Sequence, residues 1–116
     1  VRPETVIQRQ IKDYLEVLGF YAVHVPNGVV LGGNARQRAI QMAALKRDGF
    51  KVGFPDLIVY HTNGRVAHIE VKTPTGRQSD KQKECQAALE GLGHLYVICR
   101  SVEDVEAAFR EWQWIN

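Results

Sequence analysis

Between Val66 and Lys72 the chain reads as an apolar β-rich run, Val66, Ala67, Ile69 and Val71, interrupted by an acid and an amine at Glu70 and Lys72. Residues two apart in a strand project from the same face. A charge in a strand interior is costly unless a partner offsets it. Any fold of this chain must therefore bring such a partner to one face of a sheet at this point. Asp56 is the candidate, fourteen residues before Glu70 and at the mouth of a second β-rich run, Leu57 to Tyr60. The intervening His61-Thr62-Asn63-Gly64-Arg65 reads as a hairpin loop.

Register decides whether Asp56 reaches the pair. A two-residue Asn63-Gly64 turn would set Asp56 opposite Val71, on the wrong face. A three-residue loop, Thr62-Asn63-Gly64 with Gly64 left-handed, pairs His61 with Arg65 and hence Asp56 with Glu70. The second register is expected, because it sets two carboxylates side by side. A divalent cation is the simplest group to offset their repulsion.

The rest of the chain supplies helices around these strands. From Pro3, the apolar positions Val6, Ile7, Ile11, Tyr14, Leu15 and Leu18 recur at helical spacing up to a stop at Gly19. Phe20 to Val25 reads as a strand ended by Pro26-Asn27-Gly28, and Gly32-Gly33 as a mobile loop. Asn34 caps a second helix with Ile40, Ala43, Ala44 and Leu45 as its apolar positions, stopping at Gly49. Beyond the hairpin, Thr73-Pro74-Thr75-Gly76 breaks the chain. Ser79 caps a third helix expected to bury Cys85, Ala88, Leu89 and Leu92. Leu95 to Cys99 is a strand, and Ser101 with Asp104 starts a last helix through Val105 and Phe109 towards Trp112. The order is α-β-α-β-β-α-β-α, with one further strand if Lys51-Val52 counts. An α/β fold follows: one mixed β-sheet flanked by helices, in a single domain over residues 1–116.

Composition excludes several alternatives. The chain has 116 residues, 45% of them hydrophobic and 24% charged, as ordinary globular domains have. Lys and Arg exceed Asp and Glu by only two, 15 against 13, so any nucleic-acid binding must come from local clustering of basic residues. No apolar stretch reaches the length of about 18 residues that a membrane span needs. The first residues lack a signal-peptide apolar core, and Cys85 and Cys99 have no metal-ligand spacing. A reducing cytoplasm, bacterial or phage-infected, is the expected location. His24, His61, His68 and His94 are scattered, and no phosphate-binding loop, nucleophile elbow or zinc signature occurs. His68 is expected to share the face of Glu70.

Each candidate residue also has an ordinary use. Pro-Asp opens turns, Glu-x-Lys can be a solvated ion pair on an edge strand, and an acid such as Glu4 suits any first helical turn. Taken together, Pro55-Asp56 followed by Glu70-Val71-Lys72 resembles the PD-(D/E)xK nuclease superfamily. Further matches are Glu4 in the first helix, Asn34-Ala35-Arg36, Leu45-Lys46, Gly49, Gly53-Phe54-Pro55-Asp56-Leu57, Gly76-Arg77-Gln78-Ser79 and Gln82. With these, the chain from Glu4 to about Leu95 is similar to the VRR-NUC family of virus-type replication-repair nucleases. Gln78 departs from the apolar residue expected at its place, and should be peripheral.

The resemblance implies a restriction-endonuclease-like core and an endonuclease dependent on Mg²⁺ or Mn²⁺ that leaves 5′-phosphate ends. It implies Asp56 and Glu70 as metal ligands with the main-chain carbonyl of Val71, and Lys72 acting on the attacking water. Gln82 borders the site, Glu4 reaches the metal through water, and Asn27 lies nearby. Basic residues fit a DNA footprint: Arg36, Arg38, Lys46 and Arg47 on or beside the second helix, and Arg77, Lys81 and Lys83 around the third. The expected function is metal-dependent cleavage of branched DNA, best a four-way (Holliday) junction, in repair or replication. A symmetric homodimer is expected, with Trp112, Trp114 and Ile115 as its candidate interface. The alternatives are a flap or splayed-arm nuclease, and a non-catalytic nucleic-acid-binding module on a nuclease fold. The length suits a stand-alone viral or prophage enzyme.

Overall fold

A computed structural model describes residues 2–28 and 30–116; Val1, the first residue of the expected 1–116 domain, and Val29 lie outside the described residues. The elements run α1 (Pro3–Val17), β1 (Tyr21–His24), α2 (Ala35–Arg47), β2 (Leu57–Tyr60), β3 (Val66–Val71), α3 (Asp80–Gly91), β4 (Leu95–Cys99) and α4 (Val102–Glu111), with a short 3₁₀ turn at Thr62–Gly64. Lys51-Val52 forms no strand. The helix starts follow local chemistry. Asn34 and Ser79 each accept from the backbone N–H three residues on, and Gln37 and Gln82 reach back to complete capping boxes. Ser101 accepts from the Asp104 N–H.

The strands form one sheet in the order β1-β2-β3-β4, antiparallel except for the parallel β3–β4 pair. Parallel pairing requires a crossover, and α3 is that crossover. Leu57 pairs with Ile69 and Tyr60 with Val66, while the His61 N–H donates to the Arg65 carbonyl at 2.9 Å. This is the three-residue loop register, which carries Asp56 opposite Glu70. Gly64 is left-handed at φ 72° and Asn63 joins it at φ 62°, a conformation that asparagine tolerates better than most side chains.

The two faces of the sheet differ in chemistry. Leu57, Val59, Ala67, Ile69, Val71 and Cys99 face α1 and α4, where Ile11, Leu15, Val105 and Phe109 complete a fully buried core. Each buried Leu, Val, Ile or Phe among them contributes about 1.5–3 kcal/mol on burial. The opposite face carries His68, Glu70 and Tyr96, and α3 lies over it, with Gln82 bonded to Glu70 and Gln78 to Tyr96.

Three expectations of packing are corrected. First, α3 buries none of its residues: Cys85 and Leu89 are half-buried, Ala88 is exposed and Leu92 is 76% exposed. The sheet face beneath it is polar, so α3 is seated by glutamines as much as by apolar groups. Second, α2 forms but adds nothing to the buried core; none of its residues is buried, and Ile40 is exposed. It is held by its capping box and by Gln41 bonding both the amide and the carbonyl of Gly32. Third, the Trp112–Ile115 segment docks on its own core. Trp114 is buried, stacking on Phe20, tilted against His61 and meeting Phe109 edge-on, so of Trp112, Trp114 and Ile115 only the half-buried Trp112 and Ile115 keep exposed apolar surface. Among the described residues, no helix is long and apolar enough to cross a membrane.

Candidate active site

Asp56, Glu70, Val71 and Lys72 meet at one end of the β2–β3 pair. The Asp56 carboxylate accepts from the Val71 N–H at 2.7 Å. Its main-chain carbonyl accepts from the Val25 N–H at 2.8 Å, and His24 Nδ1 lies 3.1 Å away. Asp56 is thus tied to both neighbouring strands before it contacts any ligand. In a strand the N–H and C=O of one residue point the same way, so the Val71 carbonyl also points towards Asp56.

Glu70 and Lys72 project from one face with Nζ 3.8 Å from Oε2, and they are only 2% and 8% exposed. Gln82 Nε2 donates to the same Oε2 at 3.1 Å, while Glu70 Oε1 is buried with no hydrogen-bond partner among the described residues. Burial, followed by the facing charge of Asp56, pushes the Glu70 carboxyl up to about 8, against the pull of Lys72. An orphaned buried carboxylate oxygen beside a second carboxylate has the chemistry of a cation site. Among the described residues, no group of three or more His, Cys, Asp or Glu side chains is gathered to hold a metal alone. The oxygen groups that could hold a cation here are the Asp56 and Glu70 carboxylates and the Val71 main-chain carbonyl.

Asp56 and Val71 also line a cavity of about 310 Å³ with Glu4, Gln8, His24 and Asn27. Glu4, in the first turn of α1, thereby faces the same space as Asp56. Asn27 donates to the Phe54 carbonyl, fixing the loop that delivers Asp56. Gln8 and His24 were not recognisable as site residues, since their place follows from the docking of α1 on an edge strand; Gln8 Nε2 lies 3.0 Å from His24 Nδ1.

Other candidates sit apart from the carboxylates. Arg36, Arg38, Lys46, Arg47 and Arg77 are all exposed, on α2 and ahead of α3. Gln78 is peripheral to the acids and bonds Gln86 and Tyr96. His68 shares the Glu70 face but is buried against His94, 2.9 Å away, and Phe54. Burial, with His94 close by, lowers its pKa to about 4, so it is neutral.

Gly53 explains the close seating of α3. At φ +81° a Cβ there would lie 2.6–2.9 Å from the backbone of Lys81 and Gln82. Only glycine lets this loop approach the helix start that carries Gln82. On the other flank, Arg100 donates to the carbonyls of Thr73 and Gly76, at 2.5 and 2.7 Å, holding the turn after Lys72.

A mixed sheet with helices on both faces, with buried acid and amine at the end of a central hairpin, defines a nuclease-like α/β domain. The sequence profile of the VRR-NUC domain matches residues 3–103, and the chain belongs to that family of nuclease-type domains. Solved structures share the fold, two of them as follows. One, described as a VRR_NUC domain protein, is 22% identical with a TM-score of 0.70, over 96% of this chain and 88% of its own. The other, a VRR_NUC domain, is 18% identical with a TM-score of 0.67, over 95% and 97%. No curated protein sequence matches the chain.

Proposed function

We propose that the protein is a divalent-metal-dependent DNA endonuclease whose active site is Asp56, Glu70 and Lys72, bordered by Gln82 and Glu4. The observation that carries this reading is the buried Glu70, with one oxygen orphaned, facing Asp56 and paired to Lys72. Asp56, Glu70 and the Val71 carbonyl would hold Mg²⁺ or Mn²⁺. When bound, such a cation supplies a water of lowered pKa and neutralises charge on phosphorus.

The chain's own groups supply the rest. Lys72, the cationic partner of Glu70, orients the attacking water and offsets charge on the phosphoryl oxygens, while the proton of that water passes to bulk solvent. The water oxygen bonds to phosphorus as the P–O3′ bond breaks. The departing oxygen takes a proton from solvent water, leaving a 3′-hydroxyl and a 5′-phosphate. Gln82 holds the Glu70 carboxylate in one orientation, and Glu4 orders water across the cavity it shares with Asp56.

The substrate is proposed to be branched DNA, with a four-way junction cut by two copies acting as a symmetric dimer. Two-fold pairing matches the near two-fold symmetry of a junction. The exposed Arg36, Arg38, Lys46 and Arg47 on and beside α2, with Arg77, supply phosphate contacts without sequence preference. Cleavage of labelled duplex, single strand, flap, splayed arm and junction with Mg²⁺, Mn²⁺ or EDTA tests the reading. Metal-dependent cutting, with paired nicks on opposite junction strands, supports it. No cutting of any form overturns it, and a monomer in light scattering that prefers flaps overturns the junction reading alone.

A further inference from the structure

Three lysines from three separate segments converge on one cavity away from the carboxylates. Lys46 comes from the last turn of α2, Lys51 from the link to β2, and Lys81 from the first turn of α3. With Phe50, Val52 and Cys85 they line a space of about 430 Å³. Lys81 pairs with Glu84 at 3.1 Å, the one carboxylate on the wall. Among the described residues, neither Lys46 nor Lys51 forms an ion pair.

The cavity is joined to the candidate active site through the backbone. Cys85 Sγ donates to the Val52 carbonyl at 3.4 Å, and Gly53 rests on the backbone of Lys81 and Gln82. Gln82 in turn bonds Glu70. The α3 N-terminus adds the positive end of its dipole on this side.

We propose that this cavity seats a backbone phosphate of bound DNA other than the scissile one, with Lys51 as its central contact. DNA as the ligand rests on the nuclease reading. A polynucleotide backbone suits the wall better than a free anion does. The ammonium groups of Lys46 and Lys51, unpaired among the described residues, are available to the phosphate, with Lys81 shared with Glu84, while Phe50, Val52 and Ala88 offer apolar contact to the adjoining sugar. The contact carries affinity and register and reads no base.

The test is the salt dependence of binding to a fluorescent DNA duplex, read by anisotropy in EDTA between about 50 and 200 mM salt. Lys51→Gln should lower the slope of log K against log salt by about 0.9, and Lys46→Gln with Lys51→Gln by about twice that. Arg110→Gln, on α4 across the sheet, removes the same charge and should keep the wild-type slope. A wild-type slope for Lys51→Gln overturns the inference, as does an equal loss for Arg110→Gln. A cavity for free phosphate would instead give Lys51-dependent thermal stabilisation by inorganic phosphate with an unchanged DNA slope, which also overturns it. Since no cleavage is read, the result stands apart from the catalytic proposal.

Discussion

Gln82 joins two structures with one side chain: its Nε2 donates to Glu70 Oε2 at 3.1 Å, and its Oε1 accepts from the Ser79 N–H at 2.8 Å. The capping box that starts α3 therefore also orients the buried acid. Gln82→Ala should lose about 1 kcal/mol of stability as a lost cap and cut at least tenfold more slowly. Ser79→Ala should lose similar stability and retain most of the rate. Thermal melts beside single-turnover cleavage separate the two effects; equal rate losses would mean that Gln82 acts only as a cap.

Glu70 and His68 give the metal-free protein an uneven pH dependence. Glu70 is raised to about 8, so it binds a proton in the folded state after the unfolded chain has lost it. Its effect is a loss of stability as pH rises from about 4.5 to 8. His68 is lowered to about 4, so its contribution is present above about 6.5 and lost as pH falls towards 4. The two oppose below about 6.5, and Glu70 alone acts above it. Between pH 6.5 and 8, in EDTA, stability should fall as pH rises. In urea unfolding, Glu70→Gln should flatten that segment; an unchanged slope would show that Glu70 ionises normally.

Gly53 and Gly49 are both left-handed, at φ +81° and +104°, but only Gly53 has backbone within van der Waals reach of a Cβ. Gly49→Ala should cost the strain of its φ alone, on the order of 1 kcal/mol. Gly53→Ala should cost more, and should also slow cleavage by displacing Gln82. Equal melting temperatures for the two variants would contradict the close approach.

Trp114 is buried among Phe20, His61, Phe109 and Trp112. Trp114→Ala should destabilise the fold by about 3–5 kcal/mol. Denaturant titration gives the magnitude, and light scattering under folding conditions should give the same mass as wild type. A loss of association with no loss of stability would restore this segment as an interface.

What the sequence made legible was local or periodic. The three-residue loop, the caps at Asn34, Ser79 and Ser101, and the face shared by Glu70 and Lys72 each follow from a few neighbouring residues. Fold class followed from strands alternating with helices. What it hid was set by tertiary packing. The apolar positions of α2 and α3 have helical spacing but no deep core beneath them, so Ile40 and Leu92 remain exposed. The tryptophans looked like surplus apolar surface because nothing in the chain marks Phe20 and His61 as their partners. His24 and Gln8 reach the Asp56 cavity only through the placing of α1 beside β1, and Gly53 reveals its role only against the start of α3.

In the proposed mechanism Lys72 acts at the cleavage step on a site formed by Asp56 and Glu70. Single-turnover cleavage of the best DNA substrate in Mg²⁺, compared for wild type, Asp56→Asn, Glu70→Gln and Lys72→Ala, tests it most directly, with circular dichroism and DNA binding as controls. Each variant should remain folded, bind DNA and cut slower by orders of magnitude, and EDTA should stop the wild type. Lys72→Ala cutting at the wild-type rate, or cleavage that survives EDTA, would rule out this metal-and-lysine site.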